Sequence, residues 1–129
     1  MTASLPSSPV SALGATVGWY GQTAFVTVEG GLEFLTAQEG RRLLLDVLER
    51  EPHRLIVDAH TAFVDSSGIA VLVLVAQRAK QERREFRLIC HQRLAAMLRL
   101  HGVIEVLGID EDPNAGSDHR FGRQQRIAA

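Results

Sequence analysis

Phe63-Val64-Asp65-Ser66-Ser67-Gly68-Ile69 is a polar knot set between two apolar runs near the middle of the chain. Leu55-Ile56-Val57 before it reads as a buried strand, and the wholly apolar run from Ile69 to Ala76 after it leads into Gln77, Arg78, Lys80 and Glu82. The knot is therefore a strand-to-helix junction. Asp and Ser side chains accept hydrogen bonds from the free N–H groups of a helix's first turn, and Gly lets backbone pass close by. Either Asp65 or Ser66 is the N-cap, which puts the Ser67 hydroxyl in or next to the first turn. The positive end of the helix dipole accommodates an added negative charge there, so the position suits a modifiable serine.

The segment after the knot is ambiguous by pattern alone, because Val71, Val73 and Val75 alternate with leucine and alanine as a strand's residues do. Length decides for a helix. A capped start and an unbroken continuation, about sixteen residues from Ile69 to Arg84 without a turn signal, are typical of a helix and long for a strand. Ile69, Leu72, Val73 and Ala76 fill one inward face. Val71, Leu74 and Val75 then point elsewhere, to be covered by a partner or by neighbouring elements of the same fold.

Upstream, Thr16 to Tyr20 and Thr23 to Glu29 are rich in Val, Thr and aromatics around a Gly21-Gln22 turn, the signature of a hairpin. After Gly30-Gly31, Thr36 and Glu39 have capping-box spacing and open a helix with Leu44, Val47 and Leu48 on one face, closed by Pro52. Arg54 to Ala59 is a continuous apolar run ending at Asp58, the pattern of a central strand covered on both faces. Downstream, Phe86 to Cys90 reads as a strand and His91 to His101 as a helix stopped by Gly102. Val103 to Ile109 reads as a last edge strand. This order predicts an α/β domain over residues 15–109, with a mixed central sheet of about four to five strands and helices packed on one face or both.

Composition narrows the class further. The chain has 129 residues, 46% of them hydrophobic, enough for one packed core. A formal net charge of −1 gives no general attraction to nucleic acid or to an anionic membrane. One cysteine, Cys90, allows no internal disulfide and suits a reducing compartment. Residues 1–14, rich in Ser, Pro and Ala, read as a flexible leader without signal-peptide character. The chain from Asp110 to Ala129 reads as a flexible tail, and no apolar run reaches the roughly twenty residues that would insert in a bilayer. These features place the protein in the cytoplasm.

Enzyme chemistry at the knot fails on spacing. A nucleophile elbow needs Gly two positions before its serine, where Ser66 has Val64 and Ser67 has Asp65. A phosphate-cradling P-loop needs a Gly-Lys pair, which the chain lacks. His53, His60, His91, His101 and His119 are spread one per segment, without zinc-ligand spacing or a carboxylate partner, and read as surface or helix-end residues. The reading calls for no metal, no cofactor and no catalytic set. Arg78, Lys80, Glu82, Arg83 and Arg84 mix signs at a helix end and read as a solvated terminus rather than a nucleic-acid patch.

Leu55-Ile56-Val57-Asp58, the knot through Leu72, Arg87-Leu88-Ile89 and Leu100-His101-Gly102-Val103 together resemble the STAS domain of bacterial anti-sigma factor antagonists. The resemblance spans residues 15–109 in the family's element order. It implies a domain that binds an anti-sigma factor, a serine kinase related to histidine-kinase-type ATPases, and so releases a sigma factor. The kinase phosphorylates one serine of the knot and a phosphatase reverses it. Carried over by position, the phosphorylated residue is Ser67, with Asp65 the acidic neighbour needed by the kinase and Asp58 the acidic residue closing the central strand. Ser66, Gly68, Ile69 and Val71 complete the implied partner-binding set. Glu33 joins it with a departure, since it stands where the family usually has Asp. The same resemblance also admits a subunit or scaffold of a lipid-trafficking, transport or stress-sensing assembly, with the knot helix docked on a partner that is not a kinase.

Overall fold

Tyr20 stands opposite Thr23 across a two-residue turn, with Gly21 in the left-handed region at φ 64°, and this turn opens the domain. The computed structural model describes residues 13–60 and 62–111 of the chain. The turn joins β1 (Leu13–Tyr20) to β2 (Thr23–Leu32) as an antiparallel hairpin. Then follow α1 (Ala37–Glu49), β3 (Arg54–Asp58), the two-residue β4 (Phe63–Val64), α2 (Ser66–Gln81), β5 (Glu85–Cys90), α3 (Gln92–Leu100), α4 (Ile104–Leu107) and β6 (Ile109–Glu111). The sheet runs β1-β2-β3-β5-β6, parallel apart from β1, and β4 pairs with the last two residues of β2. This is the mixed α/β sheet expected from the element order.

Strand alternation sorts the core into two clusters. Ala24, Val26 and Val28 of β2, Leu55 and Val57 of β3, and Phe86, Leu88 and Cys90 of β5 join the helices in the larger one. The residues between them, Phe25, Ile56 and Ile89, form a smaller cluster on the opposite face, flanked by Tyr20. Burial of β3 from both sides follows, as its unbroken apolar run predicts.

Four expectations change. Thr36 precedes α1, but its side chain makes no cap: the hydroxyl donates to the Gly31 carbonyl at 2.7 Å and accepts from the Glu33 amide at 3.0 Å. The buried Gly31 carbonyl needs that donor, and this need overrides the capping-box spacing. The second change concerns Val103 to Ile109, which is the short helix α4 followed by Gly108 at φ 55°, so that the edge strand starts only at Ile109. Thirdly, Val71, implied as a partner contact, belongs to the core, and neighbouring elements of the fold likewise cover Val75, because α2 is held between the sheet, α1 and α4. Finally, β1 begins at Leu13 and β6 reaches Glu111, slightly beyond the expected limits. The remainder of the leader and tail lies outside the described residues.

Within these limits no helix is long and apolar enough to cross a membrane.

Candidate functional site at the start of α2

Asp65 is the N-cap, in extended backbone, with Ser66 and Ser67 as the first two residues of α2. Its two carboxylate oxygens do different things. Oδ1 accepts from the Gly68 amide at 3.0 Å and so closes the first turn, while Oδ2 accepts from the Phe34 amide at 3.1 Å in the loop between β2 and α1. The Asp65 amide donates to the Leu32 carbonyl at 3.4 Å, and β4 pairs with Gly31 and Leu32. One aspartate thus pins the helix start to the end of β2. Asp65→Ala should lower stability by about 1–2 kcal/mol, a cap loss, read as the shift of a urea unfolding midpoint. An unchanged midpoint would remove Asp65 from this role.

Gly68 is required for a different reason. A Cβ added there would stand 2.0 Å from the Leu32 carbonyl oxygen and 2.9 Å from Val64 Cγ1. The first turn of α2 therefore lies against the backbone of β2, and only glycine lets it do so.

The structure divides the predicted partner residues into three groups. Ser66 is exposed, Ser67 and Asp65 are half-buried, and neither serine hydroxyl has a hydrogen-bond partner among the described residues. Glu33 is half-buried in the loop that Asp65 holds, with its side chain folded back towards Gly31. Ile69 and Val71 are 4% and 7% exposed and pack in the core, and Gly68 is enclosed by β2, so these three support the site from below instead of presenting surface. Asp58 departs furthest from expectation. It is fully buried, and its Oδ1 lies 2.6 Å from His60 Nδ1 and accepts from the His60 amide at 3.1 Å, shaping the turn after β3. It offers no surface to a partner. His60 correspondingly is paired with a carboxylate, contrary to the even scatter of histidines in the sequence, whereas His91 and His101 cap the two ends of α3.

Sequence reasoning missed the apolar rim of the site. Phe34, Leu35 and Phe63 are 76%, 60% and 62% exposed. Phe34 is tied by its amide to Asp65, Leu35 follows it, and Phe63 lies two residues before Asp65 with its backbone opposite Gly31. Large apolar side chains gathered around a polar centre mark an interaction surface more often than scattered ones do. Their only sequence signal is their place in short segments flanked by polar residues, which does not report exposure. Asp65 at the cap and Glu33 in the loop it holds are both acids. Among the described residues no group of His, Cys, Asp and Glu is arranged to hold a metal ion.

The sequence matches the STAS domain family over residues 19–115, most of the chain, and the protein belongs to that family. No curated protein matches in sequence. Among solved structures, the fold is similar to an anti-sigma factor antagonist from Mycobacterium paratuberculosis, at 18% identity and a TM-score of 0.71, covering 91% of this chain and 98% of that one. It is also similar to a putative anti-sigma factor antagonist from Thermotoga maritima, at 12% identity and a TM-score of 0.67, covering 87% and 94%. The anti-sigma factor antagonist SpoIIAA in its unphosphorylated form superimposes at 14% identity and a TM-score of 0.61, covering 89% and 98%. At these identities the likeness is one of fold.

Proposed function

We propose that this chain is a cytoplasmic anti-sigma factor antagonist that binds an anti-sigma factor of the histidine-kinase-like ATPase type through the face around Ser67. Binding frees the sigma factor. Phosphorylation of Ser67 by that kinase ends the interaction, and a serine phosphatase restores it. The observation that carries this reading is the Ser67 hydroxyl in the first turn of α2, without a hydrogen-bond partner among the described residues, at the junction whose flanking segments expose Phe34, Leu35 and Phe63. A phosphate there adds about −1.5 to −2 charges where unpaired helix N–H groups tolerate them, so the fold survives. The apolar rim is less tolerant, because a dianion docked against a partner must be desolvated next to Asp65.

The domain acts in this reading as a regulator, not an enzyme. Both Asp65 oxygens are engaged by backbone amides, which commits this carboxylate to holding the junction. The test begins with capture of the binding kinase from the source cell on the full chain, followed by incubation with ATP and mass spectrometry. One phosphate on Ser67, absent from Ser67→Ala, is the expected result. A captured kinase that leaves Ser67 unmodified would overturn the switch.

A further inference from the structure

β1 is the outermost strand on its side of the sheet and, among the described residues, pairs only with β2. Its eight residues, Leu-Gly-Ala-Thr-Val-Gly-Trp-Tyr, include no charge and no proline. Soluble proteins usually blunt a long sheet edge with one of these, so an edge without them is a surface for strand pairing. Val17 and Trp19 are 37% and 38% exposed. They lie on the helix-bearing side, because their register partners Val26 and Ala24 belong to the larger core cluster. Between this strand and α1 runs a groove with Val17, Leu43 and Val47 among its apolar lining.

The charged lining of the groove identifies its occupant. Glu39, Arg42 and Asp46 of α1 and Arg50 at its C-cap follow one another at helical spacing, in the order acid, base, acid, base. Such a row complements itself when a second row runs in the opposite direction. Glu39 then faces Arg50 of the other copy and Arg42 faces its Asp46, whereas rows running the same way would set acid against acid. We propose that β1 pairs antiparallel with β1 of a second copy of this chain about a two-fold axis, forming one continuous sheet. With the axis at Thr16, Leu13 lies beside the other copy's Trp19, and Ala15 beside its Val17. The contact is isologous, so it closes at a dimer.

Sedimentation of the full chain over about 1 to 300 µM tests the pairing, a range that spans weak and moderate self-association. A concentration-dependent monomer–dimer equilibrium is expected. Arg42→Glu, at an exposed position, sets acid against Asp46 twice per dimer and should weaken it about tenfold or more. Arg42→Glu combined with Asp46→Arg restores opposite signs and should restore the dimer. Val17→Lys places a charge on the edge and should leave the chain monomeric while circular dichroism remains that of the wild type. A wild-type chain that stays monomeric throughout overturns the proposal. So does a dimer whose affinity is unmoved by Arg42→Glu or Val17→Lys, since its interface would lie elsewhere.

Discussion

Gly68→Ala is expected to destabilise the domain by about 3 kcal/mol, although the same exchange inside an ordinary helix stabilises it by about 1 kcal/mol. The sign reverses because of one close approach. An alanine Cβ would stand 2.0 Å from the Leu32 carbonyl oxygen, a backbone atom that cannot rotate aside, and 2.9 Å from Val64 Cγ1. Relief requires α2 to withdraw from the end of β2. Withdrawal stretches the Asp65 Oδ2 bond to the Phe34 amide and the Asp65 amide bond to Leu32, which now hold the two segments together. Buried Ile69 and Leu72 would be drawn from their packing as well. Urea unfolding of Gly68→Ala beside wild type measures the effect, and a midpoint equal to or above that of wild type would show that the junction has slack which the close approach denies.

What could be read from the residues was local. The helix start at Asp65-Ser66 and the hairpin turn at Gly21 depend on neighbours in sequence, and both stand where their residues place them, although α2 ends at Gln81 and not at Arg84. Legibility ended where a distant segment decided the outcome. Thr36 had a capping partner at the right spacing, but the carbonyl of Gly31 took its hydroxyl. Val103 to Leu107 was short and apolar, which suits strand and helix alike, and Leu107 of the resulting helix is fully buried in the core. β4, with two residues, was too short to show any period.

The same limit runs through the site. Asp58 was implied as a partner-binding acid at the strand's end, yet its burial depends on what packs around it, and a histidine two residues on supplies its partner. Val71 and Phe63 are both apolar and only eight positions apart. One is 7% exposed and the other 62%, because α1 and α4 enclose α2 while β4 lies at the margin. Hydrophobicity alone does not distinguish an anchor of the core from an anchor of an interface.

Ser67→Asp is expected to fold as wild type and to lose binding to the anti-sigma factor by about a hundredfold or more, whereas Ser67→Ala binds and cannot be switched off. Folding survives because the second position of α2 still has unpaired N–H groups nearby and the side chain is half-buried, not enclosed. Binding fails because the new carboxylate adds to Asp65 beside exposed apolar side chains, where docking strips water from both. Phe63→Ala separates charge from contact. It leaves the serine and its cap untouched, yet removes the largest exposed ring on β4, and should weaken the unphosphorylated complex by about 2 kcal/mol. Titration calorimetry with the captured kinase compares the three variants. Equal affinity for wild type and Ser67→Asp would dismiss the electrostatic switch, and an unchanged affinity for Phe63→Ala would move the docking surface away from this rim. Loss in both cases requires charge and apolar contact to act on one face, since a dianion disrupts an interface only where that interface covers it.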